Sequence, residues 1–528
     1  MSKLREHLQN LETADLIRLK MNEPGLEYAF THIFTQESIY HSLLLTDRRQ
    51  LHQQVGEALE SMLVPPVDSG SDMELETYRD DLIAVLAHHF QQSGDDHRAV
   101  KYLTMAGDQA SAAYVNQEAK EFYTQALNWV PKDDYAGRWE ILSRRELILN
   151  RLGERELQSS DLTLMQTLAE LRQAESLLAL THNRRAAYFD KISEYGAAAE
   201  AAQKGLEQAQ RSGNARLEAQ SLNLLALSAW RRFDYETVKK WSNQALDALR
   251  IVGDPADRVT SLLHLGRASY RLGQYDAALD YVQAAQNLAN YTSEGENEAI
   301  SELILGWIYQ RLGDYELAEQ HFQASLHKRR RMGDRYGEAN ALSHLGWLAR
   351  DHQHHQEGLN YCQEALNISK TIGDRENEAY ALSGMGIIHE QLGNLEIASQ
   401  NYQAALTIQQ EIGATTLAIF DRAGLARIAW QQQKPIAAQQ HLKPVVEWIL
   451  AGMAQQFWDP WTLYQATYEV LTDLGDTETA TAILEEAHTV LHQRAEQISN
   501  EELRQRFLQN VTVNHQIEQT WHNLHRQH

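Results

Sequence analysis

Three arginines, Arg231, Arg271 and Arg311, recur at an interval of forty residues, the first two directly after Trp230 and Tyr270 and the third two residues after Tyr309. Guanidinium groups offer forked donors to carboxylates, and Arg and Trp are favoured anchors at interfaces. That chemistry is recognition rather than catalysis. Other reactive groups fall short of a mechanism. His389-Glu390 lacks the second histidine of a zinc-protease helix, and Ser383 lies in ALSGMG, which is no nucleophile elbow. No Gly-x-x-x-x-Gly-Lys-Ser/Thr stretch occurs, so no phosphate loop is available for nucleotide. No catalytic residue, cofactor or metal site is expected. His352, His354 and His355 cluster in one turn with His344 eight residues earlier, but nothing in that spacing fixes a tetrahedral set. The basic run His327-Lys328-Arg329-Arg330-Arg331 ends a helix, where positive charge is favourable, and reads as a solvated helix end.

The elements that carry these residues repeat. Ala226, Gly266, Gly306, Gly346, Gly386 and Ala426 are spaced at forty, as are Tyr195, Tyr235, Tyr275 and Tyr315. A fixed period with small and aromatic residues at matching offsets marks a helical repeat array. Gly273, Gly313 and Gly393 close first helices, and Gly253, Gly333 and Gly373 close second ones, mostly followed by an Asp suited to N-capping. The mid-helix glycines cost about 1 kcal/mol each against alanine, so close approach of paired helices must require them. With only 8 prolines and no sustained alternation of β-branched residues, the chain reads as all-α.

Composition sets outer bounds. A net charge of −24 disfavours nucleic acid as a general partner. The single cysteine, Cys362, excludes an intramolecular disulfide and reads as a small buried hydrophobe. No apolar run approaches membrane-spanning length and the first residues lack a secretory core, so a cytoplasmic, membrane-free protein is expected.

Along the chain, 1–62 reads as helices, with a break of loop chemistry at VPPVDSGSDM (64–73). The expected organisation is a helical segment over 1–62, a linker over 63–80, divergent repeats over 81–182, regular repeats over 183–415, and divergent repeats with a capping helix over 416–528. Pro435 and Pro444 fall where repeats would want helix continuity or a short turn.

LGRASYRLGQYDAALDYVQAAQNLA, LGWIYQRLGDYELAEQHFQASL and MGIIHEQLGNLEIASQNYQAAL resemble tetratricopeptide repeats of a forty-residue variety. The 345–374 copy departs, with His-Gln-His-His in place of the turn and His355 at the tyrosine position. EYAFTHIFTQESIYHSLLLTDRRQLHQQVGEALE (27–60), LAHHFQQSGDDHRAVKYLTMAGDQA (86–110) and LRQRFLQNVTVNHQI near the C-terminus are similar to the arm that follows the ATPase core in bacterial multidomain signalling ATPases, some of them cyclase- or kinase-linked. The resemblance implies a right-handed superhelical solenoid of antiparallel helix pairs. It implies a groove lined by first-helix positions: Trp230 and Arg231; then Arg267, Tyr270 and Arg271; then Trp307 and Arg311; then Trp347 and Arg350. The corresponding reading is a non-enzymatic scaffold holding a protein or peptide with acidic groups on its concave face. An NTPase or cyclase module acting in trans would be a natural partner. Two alternatives stand beside it: the arginines cap helix C-termini and the tryptophans pack between repeats, or a small molecule binds between repeats and changes the superhelix pitch.

Overall fold

A computed structural model describes residues 2–21, 27–63, 73–250, 255–289, 295–457 and 459–526. The chain divides into two compact units, Met1–Ile141 and Leu142–His528. No described helix is long and apolar enough to cross a membrane.

The first unit departs from the all-helical expectation at one place. After the helix Ser2–Thr13, Ile17–Met21 pairs antiparallel with Glu27–Phe30. Ile17, Leu19 and Met21 alternate along the first strand, and Ile17 alone of the described part is buried. Two alternations are too short a signal to outweigh the helical periodicity on either side. The loop expected at 64–73 lies outside the described residues except Met73. Met73 opens the helix Met73–Ser93, which runs through the second half of the expected linker. That helix buries Leu86 and Phe90, and the Phe90 ring stacks on Tyr102 of Asp96–Ala112 at 5.5 Å.

The second unit is a stack of helix pairs. Its regular part runs from Glu175–Lys191 and Tyr195–Ser212 through Thr415–Gln431 and Pro435–Leu450. The turn chemistry follows the sequence. Gly313 and Gly393 both take φ of 76°, a left-handed conformation that costs glycine nothing. Asp334 and Asp374 accept the Gly337 and Asn377 amides as N-caps. The histidine-rich copy keeps the same turn without a glycine, because Gln353 occupies the left-handed position at φ 61°. The mid-helix glycines are close-packing positions: a Cβ on Gly306 would stand 2.4 Å from the Phe322 ring, and one on Gly346 2.4 Å from Cys362 Sγ. Cys362 is fully buried, and burial pushes its thiol up to about 12. The helix Pro435–Leu450 also continues through Pro444. Pro435 sits in its first turn, where the missing N–H is no loss.

Pairs stack through polar steps of nearly one period. The buried Ser221 hydroxyl donates to Asn183 Oδ1 at 2.8 Å, and Ser261 repeats the bond to Asn223 at 2.9 Å. Asn183 and Asn223 in turn donate to the Leu217 and Asp257 carbonyls. Beyond these neighbour contacts, the array meets itself at long range. Tyr195 donates to Glu376 at 2.6 Å. The Ser499 amide donates to Asp276 at 2.8 Å, and Arg506 pairs with Asp314.

Candidate functional site: an arginine-lined inner cavity

First helices of successive pairs present their C-terminal turns to a common cavity within the second unit. Trp230, Arg231, Arg267, Tyr270, Arg271, Trp307 and Arg311 all line it. Its volume is about 240 Å³, and it shares Gln310 and Arg311 with a second cavity of about 410 Å³ lined by Arg350, Glu390 and Arg427. Trp347 lines neither. It is buried, stacked 5.1 Å from Tyr380 and set edge-on to Phe420, with its indole N–H donating to the Tyr380 carbonyl.

The repeating arginines do not share one environment. Arg231 forks onto Asp190, Nε to Oδ1 at 2.8 Å and Nη2 to Oδ2 at 2.9 Å. It also donates to the Tyr336 hydroxyl at 3.0 Å and pairs with Glu376. Burial opposes its charge, but Asp190 and Glu376 more than offset that and hold its pKa well above the usual value. Arg311 pairs with Asp459 at 3.2 Å, and Arg350 with Asp351 next to it in sequence. Gln310 reaches that same Asp351 at 2.8 Å.

Arg267 and Arg271 differ. Among the described residues, no carboxylate stands within ion-pair distance of either. Arg267 Nε is buried without a hydrogen-bond partner. Burial, with Arg231 and Arg329 nearby, brings its guanidinium down to about 10, still charged at neutral pH. Arg271 meets Tyr235, but its Nε and Nη1 are buried without partners. Its guanidinium lies 4.8 Å from the Trp230 ring centre, and that of Arg267 6.0 Å from Trp307. The two indoles are parallel within 5°, 6.4 Å apart. Trp307 Nε1 also has no partner. A donor left unsatisfied in a buried place costs about 1–3 kcal/mol, so this wall is unfinished by its own residues. Two unpaired cations between aromatic faces can take a carboxylate, with an apolar neighbour on the rings.

Several contributors are not legible as a sequence period. Glu376 lies 145 residues from Arg231 and Asp459 lies 148 from Arg311. Asp190 carries a weak signal, standing 41 residues before Arg231, one repeat and one position back. Arg329 differs from the solvated-end expectation. It turns inward, is 6% exposed, pairs with Asp334 and lines the cavity. With Arg329 and Lys191 beside it, Asp334 is held below the usual carboxylate range although burial pulls the other way. Lys328 and Arg330, on either side of Arg329, pair with Glu298, Glu338 and Glu364. His344 is on the cavity wall, between Trp307 and Phe322, and burial with Arg271 nearby pushes it down to about 3, so it is neutral. It does not meet His352 and His354, which face Tyr315 and each other.

This architecture defines a class, an array of paired helices stacked around an inner cavity. A tetratricopeptide-repeat family model matches residues 257–330 and 337–411, and over those residues the chain is a tetratricopeptide-repeat array. No curated protein matches the chain. Among solved structures, it is similar to a Rap protein complexed with competence and sporulation factor, at 15% identity and a TM-score of 0.53 over 70% of this chain and 100% of that one. It is also similar to a signal transduction ATPase with numerous domains and a tetratricopeptide-repeat sensor from Pyrococcus horikoshii, at 16% identity and a TM-score of 0.41, covering 90% of this chain and 67% of that one. A third is aspartyl phosphate phosphatase F from Bacillus subtilis, at 13% identity and a TM-score of 0.40, covering 74% of this chain and 93% of that one. At 15% identity the likeness to the Rap protein is one of fold alone.

Proposed function

We propose that the chain is a non-enzymatic scaffold that captures an extended protein segment bearing carboxylates in the inner cavity of its second unit. The observation that carries this reading is the pair Arg267 and Arg271, whose buried N–H groups have no carboxylate while Arg231, Arg311 and Arg350 each have one. An incoming carboxylate supplies what the wall lacks, and Trp230 and Trp307 flank it with apolar surface. The resemblance of 27–60, 86–110 and 503–517 to the arms of signalling ATPases supports a regulatory role. The partner would then be such an NTPase or a cyclase module supplied in trans, in the cytoplasm.

The test is capture of partners from native extract by the full chain, with Arg267→Glu and Arg271→Glu beside the unaltered protein. Both substitutions should abolish capture, while reversal of the exposed Arg211 should not. Equal recovery by the unaltered protein and every variant would sink the assignment. The enclosed volume also admits a small anionic ligand. That reading predicts a rise in thermal stability with a small carboxylate alone, which peptide capture does not require.

A further inference from the structure

The helices Thr477–Glu496 and Thr512–Arg526 bring together a group of side chains that the inner cavity does not use. His488 and His492 are one helical turn apart on the first helix, and Glu518 and His522 are one turn apart on the second. Residues at i and i+4 lie on one face, so each helix presents a two-ligand face to the other. Glu518 Oε1 lies 2.7 Å from His492 Nε2 and 3.5 Å from His488 Nε2. His522 Nε2 lies 3.7 Å from the other carboxylate oxygen. One ligand atom from each of His488, His492 and Glu518 falls within 4.8 Å of the others, the one such group among the described residues.

We infer that these four residues form a transition-metal site, best suited to Zn²⁺, that pins the helix Thr512–Arg526 to Thr477–Glu496. Imidazole and carboxylate are the ligand types of that ion, at about 2.0–2.2 Å each. Tetrahedral ligands at that radius stand roughly 3.3 Å from one another. The distances from Glu518 to the three imidazoles, 2.7, 3.5 and 3.7 Å, bracket that spacing, so the group stands close to ligating geometry. His488, His492 and Glu518 give three positions, and the exposed His522 or a water gives the fourth. The frame is rigid where ligands need it. The His488 ring is stacked 4.4 Å from Trp521 at 14°, which fixes its plane. Ile517, next to Glu518, is fully buried, and the buried Asn514 side chain donates to the Phe507 carbonyl at 2.8 Å. Ligands held on packed helices bind with less ordering cost than ligands on loops. Access is open on one side, since His522 is exposed and His492 half-buried while His488 and Glu518 are mostly covered.

The experiment is titration of the full chain, stripped with chelator, with ZnCl₂ by calorimetry and with Co²⁺ by visible absorption. We expect one equivalent to bind at micromolar Kd or tighter, the intense d–d bands of a tetrahedral Co²⁺ complex, and a rise in unfolding midpoint of about 2–5 °C at saturating Zn²⁺. His488→Gln and Glu518→Gln should each weaken binding by about tenfold or more, and far-ultraviolet circular dichroism reports whether each variant keeps its helices. Absence of saturable binding by the unaltered chain overturns the inference. So does binding that keeps its affinity in both variants, because the ion would then sit on other histidines.

Discussion

The hydroxyl of Tyr195 donates to Glu376 Oε2 across 181 residues of sequence, and Arg231 pairs with that same carboxylate. One acid thus ties two early repeats to the start of the helix Arg375–Gln391. In a solenoid with contacts only between neighbours, stability is a sum of local terms. Here a long-range polar knot is added, and Asp190 and Tyr336 complete it.

Arg231→Met should therefore destabilise the second unit by about 3–5 kcal/mol, because it leaves Asp190 and Glu376 without their cation in a mostly buried place. Glu376→Gln should cost less, about 1–3 kcal/mol, since Arg231 keeps Asp190. Urea unfolding reads both. A loss under 1 kcal/mol for Arg231→Met would show that the knot contributes little.

Asp421 supplies a pH test. It is fully buried; burial raises its pKa to about 8, against the Ser383 hydroxyl at 3.0 Å, which favours the charged form. Its Oδ1 and the Oε1 of Gln409 are both buried without partners, and a proton on the acid would give one of them a donor. With the folded pKa above the unfolded one, the folded state holds a proton that the unfolded chain has released. Stability is then full below about pH 4 and falls as pH rises toward 8. Asp421→Asn mimics the protonated form. It should match the parent near pH 4 and exceed it in unfolding midpoint by a margin that widens up to pH 8. A constant difference across that range would rule out this titration.

Gln353 holds φ 61° at an exposed turn where the neighbouring repeats use Gly313 and Gly393. A left-handed conformation costs an L-residue about 1–2 kcal/mol, part of which glycine gives back through its freer unfolded chain. Gln353→Gly should stabilise by about 0.5–1 kcal/mol, and Gln353→Ala should not. Equal midpoints for the two variants would mean that the turn is unstrained.

The sequence carries the repeat and its joints because these rest on short-range rules. Gly306 and Gly346 recur because a partner ring or thiol occupies the space of a Cβ, and Asp334 and Asp374 recur because every helix start needs an acceptor. The strand pair at Ile17–Met21 escaped because its alternation is so brief. The inner cavity is legible in outline, since the same register that stacks the helices places Trp230, Tyr270 and Trp307 on one wall. Its electrostatics are not. Whether an arginine is satisfied depends on Glu376 and Asp459, which reach the wall only after the superhelix has come round. The position of Trp347 illustrates the same gap, because Phe420 and Tyr380 from later repeats enclose it.

The bond between Arg506 and Asp314 joins residues 192 positions apart. A ribosome adding about 5–20 residues per second makes the acid roughly ten to forty seconds before its arginine exists. The same delay separates Tyr195 from Glu376. During synthesis the middle repeats therefore stand with their aromatic wall open and their ends untied. For that interval the nascent chain offers Trp230 and Trp307 to whatever attends it, chaperone or partner, before the later repeats arrive to enclose them.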